Sequence, residues 1–184
     1  MSPVTHFFAG WVLAAAAGRT RRERVLITVA GVVPDVDGLG AVAELLTRHT
    51  SHPLLWFSRY HHSLHTLAFA CLVALLCFML SERSWRVSGL ALLGFHVHLF
   101  CDLVGSRGPD GYVWPIQYLL PFSQWELSWQ GQWSLNGWQN LVITIALVAA
   151  AILLARAKGI SPVELFSPHA DRAVVCALRG ERST

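Results

Sequence analysis

The sequence predicts an all-α, polytopic integral membrane bundle of about five apolar helical segments. Hydrophobic residues make up 54% of the chain and charged residues only 14%, where a water-soluble domain carries about a quarter. Mean hydropathy is +0.46. The apolar residues are also collected into long runs, and the longest approach the roughly 20 residues that cross a bilayer as helix.

In chain order the runs cover residues 4–18, 25–34, 63–80, 87–105 and 140–155. The first two are short for a full crossing and predict tilted or half-spanning helices. The charges of "MSPVTHFFAGWVLAAAAGRTRRER" follow the first run rather than precede it, the reverse of a signal peptide. The second run ends in "VVPDVDGLG". Pro34 disfavours helix at Val33, so Asp35 and Asp37 are expected on an irregular turn. "RYHHSLHTLAF" opens the third run, and the fourth holds "GFHVHLFCD".

The fifth run is reached through a segment rich in Gly, Pro, Asn and Ser that carries Trp114, Trp125, Trp129, Trp133 and Trp138. That pattern predicts a loop with an aromatic belt at the membrane interface, in preference to a carbohydrate-stacking surface. Residues 1–158 thus form a membrane-embedded domain, and 159–184 an Arg-flanked cytoplasmic tail.

Charge and cysteine exclude some classes. The net charge is +3 with no Lys/Arg stripe interleaved with aromatics, so nucleic acid is not an expected partner. No CxxC pair occurs, which argues against a zinc ribbon, and all four cysteines are expected as small buried hydrophobes.

Eleven of the fourteen Lys/Arg fall between the first and second runs, between the third and fourth, or after the fifth. Alternating spans put all eleven on one side, which the positive-inside rule makes the cytoplasm.

On that topology the ionisable residues converge at the other side. His6 opens the first run, Asp35 and Asp37 close the second, and His61, His62 and His65 open the third. His96, His98 and Asp102 lie in the same half of the fourth. His98 and Asp102 are four apart and share a helix face, as do His61 and His65. His96 points about 200° away from His98. His49, His52 and His169 are expected as solvated residues outside the cluster.

Intramembrane ionisable residues are costly, so several at one depth need a shared partner. Imidazole with carboxylate suits a divalent metal, Zn²⁺ first, with Mn²⁺, Fe or Mg²⁺ as alternatives, and the number of His and Asp side chains is enough for two ions. Such an ion would activate water for hydrolysis. The same residues would equally serve a metal or ion transporter, or a scaffold in which metal staples helices. Against transport, no internal two-fold repeat is evident.

The ordered elements "TH", "PDVD", "HHSLH" and "HVHLFCD" resemble the membrane-bound metal-dependent hydrolases, a group that includes a LexA-regulated bacterial inner-membrane protein. The resemblance runs from residue 3 to about residue 115. His98 and Asp102 also resemble the H-x₃-D pair of zinc-dependent phospholipase C. Residue by residue, it implies His6, Asp35, His65, His98 and Asp102 as metal ligands. Asp37 and one of His61 or His62 are implied as further ligands or as general base, with Asp37 and His62 the candidates for the proton-accepting role. Many members carry histidines five apart where this chain has His61 and His65 four apart, which leaves the equivalent of the first histidine open. The expectation is a multi-pass bacterial inner-membrane hydrolase with its site toward the periplasm. Membrane lipid surrounds it, and its substrate is a phosphoester or lipid-linked compound. Oligomeric state is not legible.

Overall fold

The computed structural model describes residues 1–56 and 63–181. Among these the chain forms α1 (Pro3–Ala17), α2 (Arg21–Ala30), a 3₁₀ helix (Val33–Leu39) and α3 (Gly40–Thr47). Then follow α4 (Leu67–Leu80), α5 (Trp85–Gly105), α6 (Trp138–Lys158), a second 3₁₀ helix (Pro162–Leu165) and α7 (Pro168–Arg179). No strand forms among the described residues; two isolated bridges, Arg107 with Ser134 and Ile116 with Leu127, pin the long segment between α5 and α6.

Two helices, α5 and α6, are long and apolar enough to cross a membrane. The pair α2 and Val33–Thr47 is bent by 52° and makes a third candidate if counted as one broken span. The five segments expected from hydropathy thus become two or three of spanning length. α1 and α4 have 15 and 14 residues, reaching about 22 and 21 Å against roughly 30 Å of hydrocarbon. The Thr66 hydroxyl accepts from the Phe69 amide at 3.1 Å and starts α4 at Leu67. Residues 63–66, which extend the apolar run in sequence, therefore form a turn.

α1, α2 and α5 meet along small residues. A Cβ on Gly10 would lie 3.2 Å from the Thr28 carbonyl oxygen, and one on Gly31 3.3 Å from Gly10 Cα. Such contacts let backbones approach where a larger side chain would hold them apart. Phe95, Ala91 and Val87 of α5 pack with Ala14, Ile27, Ala70 and Val73 in the main core. α6 lies against α1 through Trp11, Ala15 and Ala151, and the Thr5 and Thr144 hydroxyls are 2.7 Å apart.

The two ends of the bundle differ in chemistry. At the basic end, Lys158 donates to the Ala15 carbonyl at 2.7 Å and Arg86 to that of Ala17 at 2.5 Å, capping the C-terminus of α1. Arg24 forms a two-pronged pair with Glu164 at 2.5 and 2.6 Å, both side chains buried. The region after α6 is thus folded onto the bundle: Asp171 of α7 accepts from the amide and hydroxyl of Ser161 at 2.7 and 2.6 Å. Among the cysteines only Cys77 is buried; Cys71 is exposed on the outer face of α4, contrary to expectation, and Cys101 and Cys176 are intermediate.

Candidate metal centre

The opposite end gathers the polar residues. His6 lies in the first turns of α1. Asp35 and Asp37 lie on the 3₁₀ helix that follows α2, a regular turn where the proline predicted an irregular one. His65 sits on the turn before α4, and His98 and Asp102 lie one turn apart on α5. His6, His65 and His98 are 1–2% exposed and Asp102 is 6% exposed, a depth at which unpartnered polar groups are costly.

Asp102 is the hub. His98 Nε2 lies 3.1 Å from Asp102 Oδ2, His65 Nε2 3.5 Å from the same oxygen, and His6 Nε2 3.3 Å from Oδ1. His98 Nε2 and His65 Nε2 are 3.2 Å apart. Three imidazoles therefore turn the same ring atom toward one carboxylate.

The other ring nitrogen of each faces an acceptor behind it. His98 Nδ1 lies 3.0 Å from the Gly31 carbonyl oxygen, which only accepts, so Nδ1 carries the proton and Nε2 of the neutral ring presents a lone pair. His6 Nδ1 is 2.9 Å from Asp35 Oδ2, and His65 Nδ1 is 3.3 Å from Asp37 Oδ2. The Leu64 amide donates to that same Asp37 oxygen at 3.3 Å. Buried His6 Nε2 has no hydrogen-bond partner among the described residues, although Asp102 is within ion-pair distance.

Two triads have ligand atoms within 4.8 Å of one another: His6, Asp35 and His98, and His65, His98 and Asp102. They share His98, whose single lone pair at Nε2 serves one ion. Ser106, one turn past Asp102, donates to its Oδ1 at 2.9 Å. The Met1 α-ammonium also pairs with Asp102 and donates to Ser106 Oγ at 2.7 Å.

Of the residues expected from sequence, His6, Asp35, Asp37, His65, His98 and Asp102 come together here. His61 and His62 lie outside the described residues. His96 points elsewhere, as its helical angle requires: Nδ1 donates to the Leu92 carbonyl at 2.8 Å and Nε2 is 2.9 Å from the Tyr118 hydroxyl. Burial pushes the Tyr118 phenol above its ordinary pKa, so it stays a donor to His96. His49, His52 and His169 are exposed.

A cavity of about 230 Å³ opens on the cluster, with Asp35, His65, Asp102, Ser106 and Trp114 among its walls. Sequence reasoning did not find what hangs Trp114 there. Gln132, 2% exposed, accepts from the Trp114 amide at 2.8 Å and donates to the carbonyls of Asp102, Leu103 and Trp114 at 3.0–3.3 Å. Asn140 donates likewise to the Gly105 carbonyl at 2.8 Å. Two buried amides thus satisfy the carbonyls at the C-terminus of α5 and fasten the tryptophan-rich segment over the cluster. Nothing local marks Gln132; the Asp102–Ser106 spacing of four was a legible signal.

Fold and site together define an all-helical membrane protein with a buried His/Asp cluster at one end of its bundle. The family model of the YdjM inner membrane protein matches residues 1–175, and the chain belongs to that family. No curated protein and no solved structure matches it.

Proposed function

We propose that the cluster is a divalent-metal centre, Zn²⁺ first among the candidates, and that the protein is a membrane-embedded hydrolase. The carrying observation is the common orientation of His6, His65 and His98, with Nδ1 toward an acceptor and Nε2 toward Asp102. Rings held in the neutral form would turn lone pairs toward each other and toward the carboxylate, an arrangement that a shared cation relieves. Nδ1 held by a carboxylate or backbone carbonyl is also the usual support of metal-binding histidine. Three imidazoles and one carboxylate match a zinc donor set, and buried His6 Nε2, 3.3 Å from Asp102 Oδ1, faces the same centre.

In this reading His6, His65, His98 and Asp102 hold the ion. Asp37 and the Gly31 carbonyl orient two of the rings, and Asp35 orients the third. When bound, such a cation supplies a Lewis acid for activating water. Asp35 is also the carboxylate available to take a proton, because its side chain is 16% exposed and on the cavity wall. Ser106 steadies Asp102. The positive-inside rule makes the basic end cytoplasmic, which turns the cavity toward the periplasm.

The test is hydrolysis of phosphodiester and carboxylester substrates by purified protein, before and after chelation. The expected result is turnover that chelation abolishes and Zn²⁺ restores. Turnover that survives chelation, or that is unchanged in Asp102→Ala, contradicts the proposal.

A further inference from the structure

A second hollow lies on the outer side of α4, next to the turn that carries His65. It measures about 410 Å³, within the size range of small-molecule sites, and Ser63, Thr66, Phe69, Leu72 and Pro121 are among its walls. The lining is graded. Ser63 and Thr66 lie on the turn that carries His65, whereas Phe69, half-buried against Phe95, and Leu72, 48% exposed, follow one turn apart down α4.

Depth adds a second constraint. At 1.5 Å per residue, His98 and Asp102 lie about 10 and 5 Å inside the last residue of α5, a helix of spanning length. Because α5 is about as long as the hydrocarbon is thick, that level lies within the outer third of the hydrocarbon, under the headgroups. An amphiphile in the bilayer therefore reaches the centre by drawing its polar head a short way inward, without leaving the membrane. A chain beside it runs along a helix such as α4, whose residues are almost all apolar.

Resting on the metal-centre reading, we infer that the ligand is a lipid with an oxyanionic headgroup, with one hydrocarbon chain in the α4 groove and the head at the His/Asp centre. The groove between α1 and α2, about 310 Å³ and walled by Phe7, Val29, Val33 and Val36, is the contrasting surface. It lacks the graded lining, its one polar residue being the buried Thr28.

Photo-crosslinking tests this without any turnover. The full chain is reconstituted in phosphatidylethanolamine–phosphatidylglycerol vesicles with a trace of phosphatidic acid carrying a diazirine on one acyl chain, and adducts are mapped by mass spectrometry. Adducts are expected at Phe69, Leu72 and Pro121, several-fold above those at Leu141 and Ile145 of α6, which are 61% and 59% exposed. Leu72→Trp fills the groove and removes that excess, and a diacylglycerol probe with the same chain and no phosphate labels evenly. Even labelling by the phosphatidic acid probe, or concentration at Val29 and Val36, overturns the inference. Metal content of the same vesicles separates the two failures. A metal-replete protein labelled evenly overturns the groove and leaves the centre standing, whereas a metal-free protein overturns both.

Discussion

The Gly31 carbonyl decides which nitrogen of His98 faces the cluster. Because that oxygen can only accept, the Nε2 lone pair is committed to the Asp102 side, 3.1 Å from the carboxylate. Asp37 stands in the same relation to His65 and Asp35 to His6. Removing such a support costs about 10–100-fold in metal affinity, so Asp37→Leu is expected to weaken Zn²⁺ binding by that factor, measured by competition with a chelating dye. Asp37→Asn retains an acceptor and should lose less. Asp35 separates binding from chemistry: Asp35→Asn is expected to keep Zn²⁺ while turnover falls by about 10²–10⁴. Equal losses in both would make Asp35 a ligand and not a base.

At the scale of elements, the sequence exposed the residues of the cluster better than the side chains that support it. The spacing of His98 and Asp102 and the opposed His96 were legible because helix geometry converts spacing into direction, whereas the PDVD segment, expected as an irregular turn, forms a 3₁₀ helix. Gln132 was not, since its partners are main-chain carbonyls about thirty residues away, at Asp102 and Leu103. Hydropathy also counted residues 63–66 into a helix that the Thr66 cap excludes, and gave no sign that 168–179 would form a helix docked on the basic end. Leaving buried carbonyls unsatisfied costs about 1–3 kcal/mol each. Gln132→Leu should therefore lower the thermal midpoint in detergent clearly, while the exposed Gln130→Leu leaves it in place. The contact of α1 with α2 makes a parallel point. Gly10→Leu would drive a side chain into the Thr28 carbonyl, separating the helices that carry His6 and the Gly31 acceptor.

The whole molecule is polar along its axis: Arg21, Arg24, Arg86 and Lys158 bind carbonyls or carboxylates at one end, and the His/Asp cluster occupies the other. In a background without native cysteines, Phe122→Cys, at an 86% exposed position, is expected to react with a membrane-impermeant maleimide from the periplasmic side. Arg172→Cys should react only after lysis. The reverse pattern would invert the orientation. The most direct test of the centre is metal content by mass spectrometry after mild purification, for the wild type and for His98→Ala and Asp102→Ala, with helical content checked by circular dichroism. The account predicts stoichiometric divalent metal in the wild type and none in either folded variant. A folded wild type without metal, or variants that retain it in full, would contradict it.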